Sequence, residues 1–172
     1  MKPILLATVL VLSGATTQLL AQTSPAAPRS AQSASARVRE KFDPKRDPAK
    51  DLAKAIKLAG KEHKYIILDV GGEWCPWCVK LDNFFLENAD AEKFLKANFV
   101  TVKVNYSDEN RNEEFFSHYP KVPSYPHLFV LDSKGKLLYA QDTGLLESGD
   151  HHDHDKVMAF LKKWAPPARK VN

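Results

Sequence analysis

The sequence predicts an α/β sandwich of three layers, in which a mixed central β-sheet is flanked by helices. Short apolar runs of strand length alternate with stretches of helical periodicity, an order that favours a sheet covered on both faces. The last of these runs is followed by a turn and a second strand, which predicts an antiparallel hairpin within 127–140. A chain of 172 residues suits one such domain with a tail.

Each element follows from a local pattern. A helix begins at Asp47-Pro48, where a capping carboxylate precedes a proline suited to the first turn, and extends to about Gly60. The run from Tyr65 to Val70 ends at two glycines, as expected for a strand buried on both faces. The other predicted elements are a helix through Leu81 and Phe85, a short helix from 88 or 90 to 95, a strand at 99–105, a helix at 108–119, strands at 127–131 and 136–140, and a helix at 153–164.

The amino-terminal residues predict export. The apolar run from Ile4 to Leu12 is shorter than the roughly 20 residues that span a bilayer, and Ala21 is a small residue at a suitable cleavage point. We therefore expect a cleaved signal peptide at 1–21 and export of the mature chain, with an uncleaved amino-terminal anchor as the alternative. Composition then predicts a disordered linker at 22–46, a folded domain at 47–165 and a C-terminal tail at 166–172.

The charge distribution argues against binding to nucleic acid. The net charge of +4 comes from the amino-terminal part, where residues 22–46 hold six basic and two acidic side chains. From residue 47 onward there are 18 basic and 19 acidic residues, so the domain has no global basic field.

The chemistry of the chain is expected at its two cysteines, Cys75 and Cys78. A purely structural disulfide gains most by closing a long loop, and this pair closes almost none. Half of a zinc site is the other alternative, but it needs a second ligand pair and the chain has no further cysteine. A dithiol between a buried strand and a helix favours a thiolate at Cys75, which reacts through a mixed disulfide that Cys78 resolves.

Several segments in register resemble the thioredoxin superfamily. The stretch Leu68-Asp-Val-Gly-Gly-Glu-Trp-Cys-Pro-Trp-Cys-Val-Lys80 has the aspartate, Asp69, six residues before the first cysteine and the tryptophan, Trp74, directly before it. Lys103, in a Val-Lys-Val-Asn strand, matches the lysine that approaches the buried aspartate in the family. Pro126, in Val122-Pro-Ser-Tyr-Pro-His-Leu-Phe129, matches the family's cis-proline. The resemblance covers about 47–164 and implies a thioredoxin-like domain with thiol-disulfide oxidoreductase activity.

The resemblance assigns roles that the residues themselves leave open. Asp69 stands in an apolar strand, where burial raises the pKa of a carboxyl group, so it is a candidate base for the Cys78 proton. A structural ion pair with Lys103 is the alternative. A cis bond at Pro126 would expose the Tyr125 backbone for pairing with an extended substrate, whereas an ordinary trans turn would not.

The residues that flank the thiols are candidate substrate contacts. We expect Trp77, between the cysteines, to be exposed and Trp74 to belong partly to the core. The pair Pro76-Trp77 departs from the Gly-Pro of thioredoxins and is nearer to the Pro-Tyr of glutaredoxins, which leaves the reduction potential open. Gly71-Gly72 replaces bulkier family residues and is expected to open space beside the dithiol.

A histidine-rich segment, 149–155, contains His151, His152 and His154 among three aspartates. Such a set could bind zinc or copper or respond to pH. Neighbouring ligands on a flexible loop rarely form a closed site, so we expect a solvated loop that caps the last helix.

The leading hypothesis is a periplasmic enzyme that exchanges electrons between its dithiol and protein disulfides, with the reductase direction favoured. This direction follows from a resemblance to periplasmic thioredoxin-like domains that receive electrons from membrane partners, so a membrane electron donor is an expected partner. We expect a monomer whose redox-active disulfide serves without a cofactor or metal. Two alternatives stay open: a copper- or zinc-handling protein that uses the dithiol with His127 or the histidine-rich segment, and a non-catalytic module that binds peptides through Trp77 and Tyr125.

Overall fold

A computed structural model describes residues 38–168. The predicted signal peptide lies outside the described residues, as do 22–37 of the predicted linker and 169–172 of the predicted tail. In the described part, no helix is long and apolar enough to cross a membrane. The elements are α1 (Pro48–Glu62), β1 (Tyr65–Gly71), α2 (Pro76–Glu87), α3 (Ala89–Asn98), β2 (Phe99–Asn105), α4 (Glu113–Phe116), β3 (His127–Leu131), β4 (Leu137–Asp142), a 3₁₀ turn (Thr143–Leu146), β5 (Glu147–Ser148), β6 (His151–His152) and α5 (His154–Trp164).

Four strands form the central sheet in the order β2-β1-β3-β4. β1 is parallel to β2 and antiparallel to β3, and β3 is antiparallel to β4. The sheet is therefore mixed, and the predicted fold class is confirmed. The register places Asp69 of β1 beside Lys103 of β2 and opposite Leu128 of β3.

Helices cover both faces of the sheet. On one face, Ala55 and Ala59 of α1 pack against Leu68 of β1 and the residues around it. On the other face, side chains of α2, α3 and α5 pack around Ile67 and Val130. Because both faces are covered, β1 is buried from its second residue onward and β3 throughout, which explains their continuous apolar runs.

Side-chain caps set the starts of the long helices. Asp47 accepts hydrogen bonds from the N–H groups of Ala49 and Lys50, and Pro48 occupies the first turn of α1. Asp153 caps α5 by accepting from the Lys156 N–H. Both helices therefore begin where the sequence predicts, within one residue.

The predicted helix at 108–119 is wrong for most of its length, because only α4 is helical there. Before α4, asparagine side chains form hydrogen bonds with the backbone of the 105–112 loop. The Asn105 side chain donates to the Asn110 carbonyl, and the Asn112 side chain donates to the Asn105 carbonyl. Asn112 itself adopts a φ of +49°, which no α-helix tolerates. Asparagine side chains compete with helical hydrogen bonds in this way, and the helix is confined to the residues after Asn112.

The predicted end of the linker at Arg46 is also wrong, because the described residues before α1 pack against the domain. Phe42 is only 3% exposed, and its N–H donates to the Glu73 carboxylate. Asn110 donates to the Pro44 carbonyl at 2.8 Å. We call residues 38–46 the amino-terminal segment.

Candidate active site

The cysteine pair lies where β1 leads into α2. Cys75 is the N-cap of α2, and its Sγ accepts a hydrogen bond from the Cys78 backbone N–H across 3.1 Å. The two sulfurs form a disulfide, and the residues are 3% and 1% exposed. Unpaired N–H groups and the helix dipole stabilise negative charge at this end of a helix, so reduction of the disulfide favours a thiolate at Cys75.

Glycines in β1 and directly after it allow close packing around the disulfide. A Cβ on Gly71 would lie 2.5 Å from Cys78 Sγ and 3.1 Å from the Phe42 ring. A Cβ on Gly72 would lie 2.4 Å from the Trp74 indole nitrogen. The expectation that the two glycines open space beside the dithiol is therefore wrong, because neighbouring groups fill that space.

An aromatic cluster of Trp74, Tyr106 and Tyr125 lies beside the dithiol. The Tyr125-Pro126 peptide bond is cis, in agreement with the resemblance, and Tyr125 packs on the buried cluster of Phe42, Cys75 and Cys78. Tyr125 stacks on Tyr106 with ring centroids 5.0 Å apart, and Trp74 meets Tyr125 edge-on at 5.5 Å. Burial raises the pKa of Tyr125 to about 12.

Tyr106 was missed by sequence reasoning, although a signal for it exists. It directly follows β2, and the carboxyl ends of parallel neighbouring strands meet at one edge of a sheet, which is where ligand sites form in such folds. A cavity of about 540 Å³ opens at this edge, lined by Phe42, Trp74 and the loop from Asn105 to Glu109. Its volume is in the range that accommodates a bound side chain or small ligand.

The two tryptophans have the opposite environments to those expected. Trp74 is 54% exposed, and its indole N–H donates to the Tyr106 carbonyl at 2.7 Å. Trp77 is partly buried: the Lys80 ammonium lies 4.2 Å from its ring centroid, and the His152 ring meets it edge-on at 5.5 Å. The first turn of α2 directs Trp77 toward the β5-β6 hairpin, so Trp74 and Pro76 form the exposed surface at the dithiol.

Asp69 and Lys103 form a buried pair next to this region. The Lys103 ammonium donates to Asp69 Oδ2 at 2.9 Å, and Asp69 Oδ1 has no hydrogen-bond partner. Burial raises the pKa of Asp69 above its ordinary value of 3.8, and the attraction of Lys103 only partly offsets that rise. Burial opposes the charge of Lys103, but Asp69 and Asp82 outweigh it and raise the Lys103 pKa. The ion pair and the raised carboxyl pKa therefore exist together.

A larger charge network surrounds this pair. Asp82, four residues after Cys78 on α2, accepts from Lys103 at 2.6 Å and from Arg39 at 3.0 Å. Arg39 also bridges to both carboxylate oxygens of Glu73. We define the charge network as Arg39, Asp69, Glu73, Asp82 and Lys103.

Of the charge network, sequence reasoning identified only Asp69 and Lys103. Helix periodicity could have found Asp82, because a residue four positions after Cys78 lies on the same face of α2. Arg39 gave no such signal, since it precedes every periodic element.

The histidine-rich segment is more ordered than predicted. β5 and β6 form a hairpin, so successive residues face opposite sides and His151 is exposed while His152 is 4% exposed. Neither ring nitrogen of His152 has a hydrogen-bond partner, and burial lowers its pKa to about 4. The expectation of a solvated loop is wrong for His152, although Asp153 caps α5 as expected.

The metal-handling hypothesis named His127 and the histidine-rich segment as ligands. Within 38–168, no group of three or more His, Cys, Asp or Glu side chains could hold a metal ion. His127 is 3% exposed in β3, where its ring meets Phe129 edge-on at 4.9 Å. Burial lowers the pKa of His127, as expected for a neutral core histidine.

Fold and site together define the class of protein. A disulfide with C-x-x-C spacing caps a helix after a central strand, and the residue before a cis-proline packs on the buried cluster that holds the two cysteines. An aspartate-lysine pair is buried, with the lysine ammonium over the Phe42 ring of that cluster. These features are those of thiol-disulfide oxidoreductases with a thioredoxin-like fold. A sequence profile described as thioredoxin-like matches residues 47–133. The chain belongs to this thioredoxin-like family.

Similar proteins include bacterial disulfide-handling proteins. The disulfide bond reductase DsbH of Chlamydia pneumoniae is 30% identical over 95 residues, which cover 50% of this chain and 57% of the relative. A thiol:disulfide interchange protein DsbD of Colwellia psychrerythraea is 26% identical over 108 residues, 61% of this chain and 17% of the relative. The chain thus spans little more than half of the first protein and a small part of the second.

A solved structure also matches most of the described fold. The crystal structure of a disulphide isomerase from Xylella fastidiosa has 27% sequence identity and a TM-score of 0.62. The match covers 71% of this chain and 94% of that chain, so the similarity extends over nearly the whole of the solved domain.

Proposed function

We propose that this protein is an exported thiol-disulfide oxidoreductase whose Cys75-Cys78 dithiol reduces disulfides in other proteins. The observation that carries the proposal is the position of the disulfide, with Cys75 Sγ at the N-terminus of α2 and Tyr125, the residue before the cis-proline, packed on the cysteine cluster. The expected location is the periplasm, after removal of residues 1–21. The redox-active disulfide acts without a separate cofactor.

The reaction needs only two thiol-disulfide exchanges. The Cys75 thiolate attacks one sulfur of a substrate disulfide, forms a mixed disulfide and releases the other substrate sulfur as a thiolate. Cys78 then loses its proton and attacks Cys75 Sγ, which releases the second substrate thiolate and forms the Cys75-Cys78 disulfide. Two electrons pass to the substrate, so a thiol donor must reduce the disulfide again before the next cycle.

Asp69 is the group that we assign to accept the Cys78 proton. Burial raises its pKa toward that of a thiol, and its unpartnered Oδ1 is free to receive a proton. Lys103 holds the other oxygen and stabilises the carboxylate in the intervals when Asp69 is ionised.

The substrate surface is assigned to residues around the dithiol. Trp74 and Pro76 are exposed, and Tyr125, directly before the cis-proline, packs on the cysteine cluster, so we assign its backbone to pairing with an extended substrate segment. Trp77, in the first turn of α2, is partly buried between Lys80 and His152, and we assign its remaining exposed part to substrate contact.

The reductase direction is supported by the similarity to a protein named disulfide bond reductase. The proposed electron donor is a membrane protein, since the DsbD relatives are named as interchange proteins and a periplasmic reductant needs a source of electrons. Isomerase activity, for which the similar protein of Xylella fastidiosa is named, is an outcome that the measurement below distinguishes.

The experiment combines an activity with a reduction potential. With dithiothreitol as donor, the purified protein should reduce insulin disulfides, and the Cys75→Ser variant should not. A potential near thioredoxin's, about −270 mV, supports a reductase, whereas a value near −180 mV or −120 mV would indicate an isomerase or an oxidant. Activity retained in Cys75→Ser would contradict the proposed chemistry.

A further inference from the structure

The charge network contains one carboxylate more than it has cations. Arg39 and Lys103 face Asp69, Glu73 and Asp82, so full ionisation leaves one excess negative charge. Asp69 is the most deeply buried of the three carboxyl groups and has an unpartnered oxygen. The excess is therefore best removed by a proton on Asp69.

Asp82 competes with Asp69 for the single Lys103 ammonium. Lys103 Nζ lies 2.6 Å from Asp82 Oδ1 and 2.9 Å from Asp69 Oδ2. Asp82 is 11% exposed, so its charge is poorly hydrated and needs a protein partner. Its other oxygen, Oδ2, obtains one from Arg39 at 3.0 Å.

Arg39 is itself held in position by the amino-terminal segment. Its guanidinium bridges Glu73, which precedes the cysteines, and Asp82, which follows them. Three residues later, Phe42 belongs to one buried cluster with both cysteines, and its ring centroid lies 4.0 Å from the Lys103 ammonium. The segment therefore contacts the site through a charge and through an aromatic ring.

We propose that Arg39 is a positioning residue of the redox site: it neutralises Asp82, so that Lys103 remains available to Asp69. The effect of Arg39 on catalysis rests on the proposed function, in which Asp69 accepts the Cys78 proton. Arg39 touches neither the sulfurs nor the substrate surface and acts through Asp82 and Lys103. The amino-terminal segment is thus part of the redox site and tunes its proton acceptor.

The charged groups that face Asp69 come from three elements. Lys103 approaches from β2, Asp82 from α2, and Glu40 of the amino-terminal segment adds a longer-range negative potential. On the β3 side, the neighbour in register is Leu128, which carries no charge. Loss of the Arg39 charge leaves two excess negative charges in the network and must increase the proton affinity of Asp69.

The test is a titration of the Asp69 carboxyl by ¹³C NMR in the oxidised protein, where the cysteines do not titrate. In Arg39→Met the midpoint should rise by about one pH unit, a tenfold gain in proton affinity. In Arg39→Lys, which keeps the positive charge, the rise of the midpoint should be smaller than in Arg39→Met. Asp82→Asn removes the competitor, so its midpoint should fall, and it provides a second test if Arg39→Met does not fold.

The matched control is Arg111→Met, which removes the same charge from an exposed pair with Asp108. It should leave the midpoint unchanged. Equal midpoints in wild type, Arg39→Met and Asp82→Asn would overturn the proposal, as would an equal shift in Arg111→Met. Because the titration needs no turnover, an inactive protein with the expected shifts would refute only the proposed function.

Discussion

Gly71→Ala should destabilise the oxidised protein more than the reduced protein. The new Cβ would lie 2.5 Å from Cys78 Sγ, about 1 Å inside ordinary contact, and β1 cannot retreat because β2 and β3 pair with it on both sides. The disulfide fixes the sulfur, whereas a free Cys78 thiol can rotate away. Overpacking of this kind costs about 1–3 kcal/mol, which for a two-electron couple raises the reduction potential by about 20–65 mV.

Urea unfolding of the oxidised and reduced forms measures this effect, together with the equilibrium against glutathione. Gly60→Ala is the matched control, because a Cβ at Gly60 has no atom within 4 Å and the residue lies inside α1. It should gain about 1 kcal/mol in both redox forms and leave the potential unchanged. Unfolding of Gly71→Ala at the wild-type urea concentration in both forms would refute the role of close packing at this glycine.

Three further predictions concern pH and substrate binding. The pKa of Asp69 is raised on folding, so the wild type loses stability as the pH rises through that pKa. Asp69→Asn should remove this loss when the free energy of unfolding is measured in urea between pH 4 and 9. The same decrease with pH in the variant would contradict the raised pKa of Asp69. The pKa of His152 falls from 6.5 to about 4 on folding, so the wild type should lose up to about 3 kcal/mol as the pH drops from 6.5 to 4. His152→Phe should lack that loss, and His151→Phe, at an exposed position, should keep it. The same loss of stability between pH 6.5 and 4 in both variants would count against burial of His152 as the cause. Trp74→Ala should raise KM for insulin about tenfold with kcat nearly retained, as expected for an exposed aromatic contact, and a loss confined to kcat would place Trp74 in the chemistry instead.

Much of the fold is predictable because its strands and long helices have strong local signals. The continuous apolar runs of β1 and β3 report burial on both faces, and the aspartates before α1 and α5 report helix starts. The prediction fails where side-chain hydrogen bonds and tertiary contacts override the local sequence signals. Asn105 and Asn112 bond the backbone of the 105–112 loop and shorten the predicted helix, and only tertiary contacts bring Phe42 into the core.

The candidate site likewise contains residues that the sequence predicts and residues that only tertiary contacts bring in. Cys75, Cys78, Asp69, Lys103 and Pro126 stand at fixed places in a recognisable pattern. The structure joins the cysteines in a disulfide, pairs Asp69 with Lys103 and makes the Tyr125-Pro126 bond cis. The environments of Trp74 and Trp77 were not predictable, because both depend on residues distant in the sequence. Trp74 contacts Tyr106 and Tyr125, and Trp77 contacts His152 of the β5-β6 hairpin. Arg39 joins the site only through long-range ion pairs, for which a single sequence carries no direct signal, whereas helix periodicity on α2 could have indicated Asp82.

The central claim is that Cys75 attacks substrate disulfides and Cys78 resolves the product. The most direct measurement is the trapping of mixed disulfides by Cys78→Ser, detected on non-reducing gels and located by mass spectrometry. We predict dithiothreitol-sensitive adducts of substrate proteins at Cys75, and no adducts in the Cys75→Ser, Cys78→Ser double variant. Absence of adducts from Cys78→Ser, or equal adducts in the double variant, would contradict this claim.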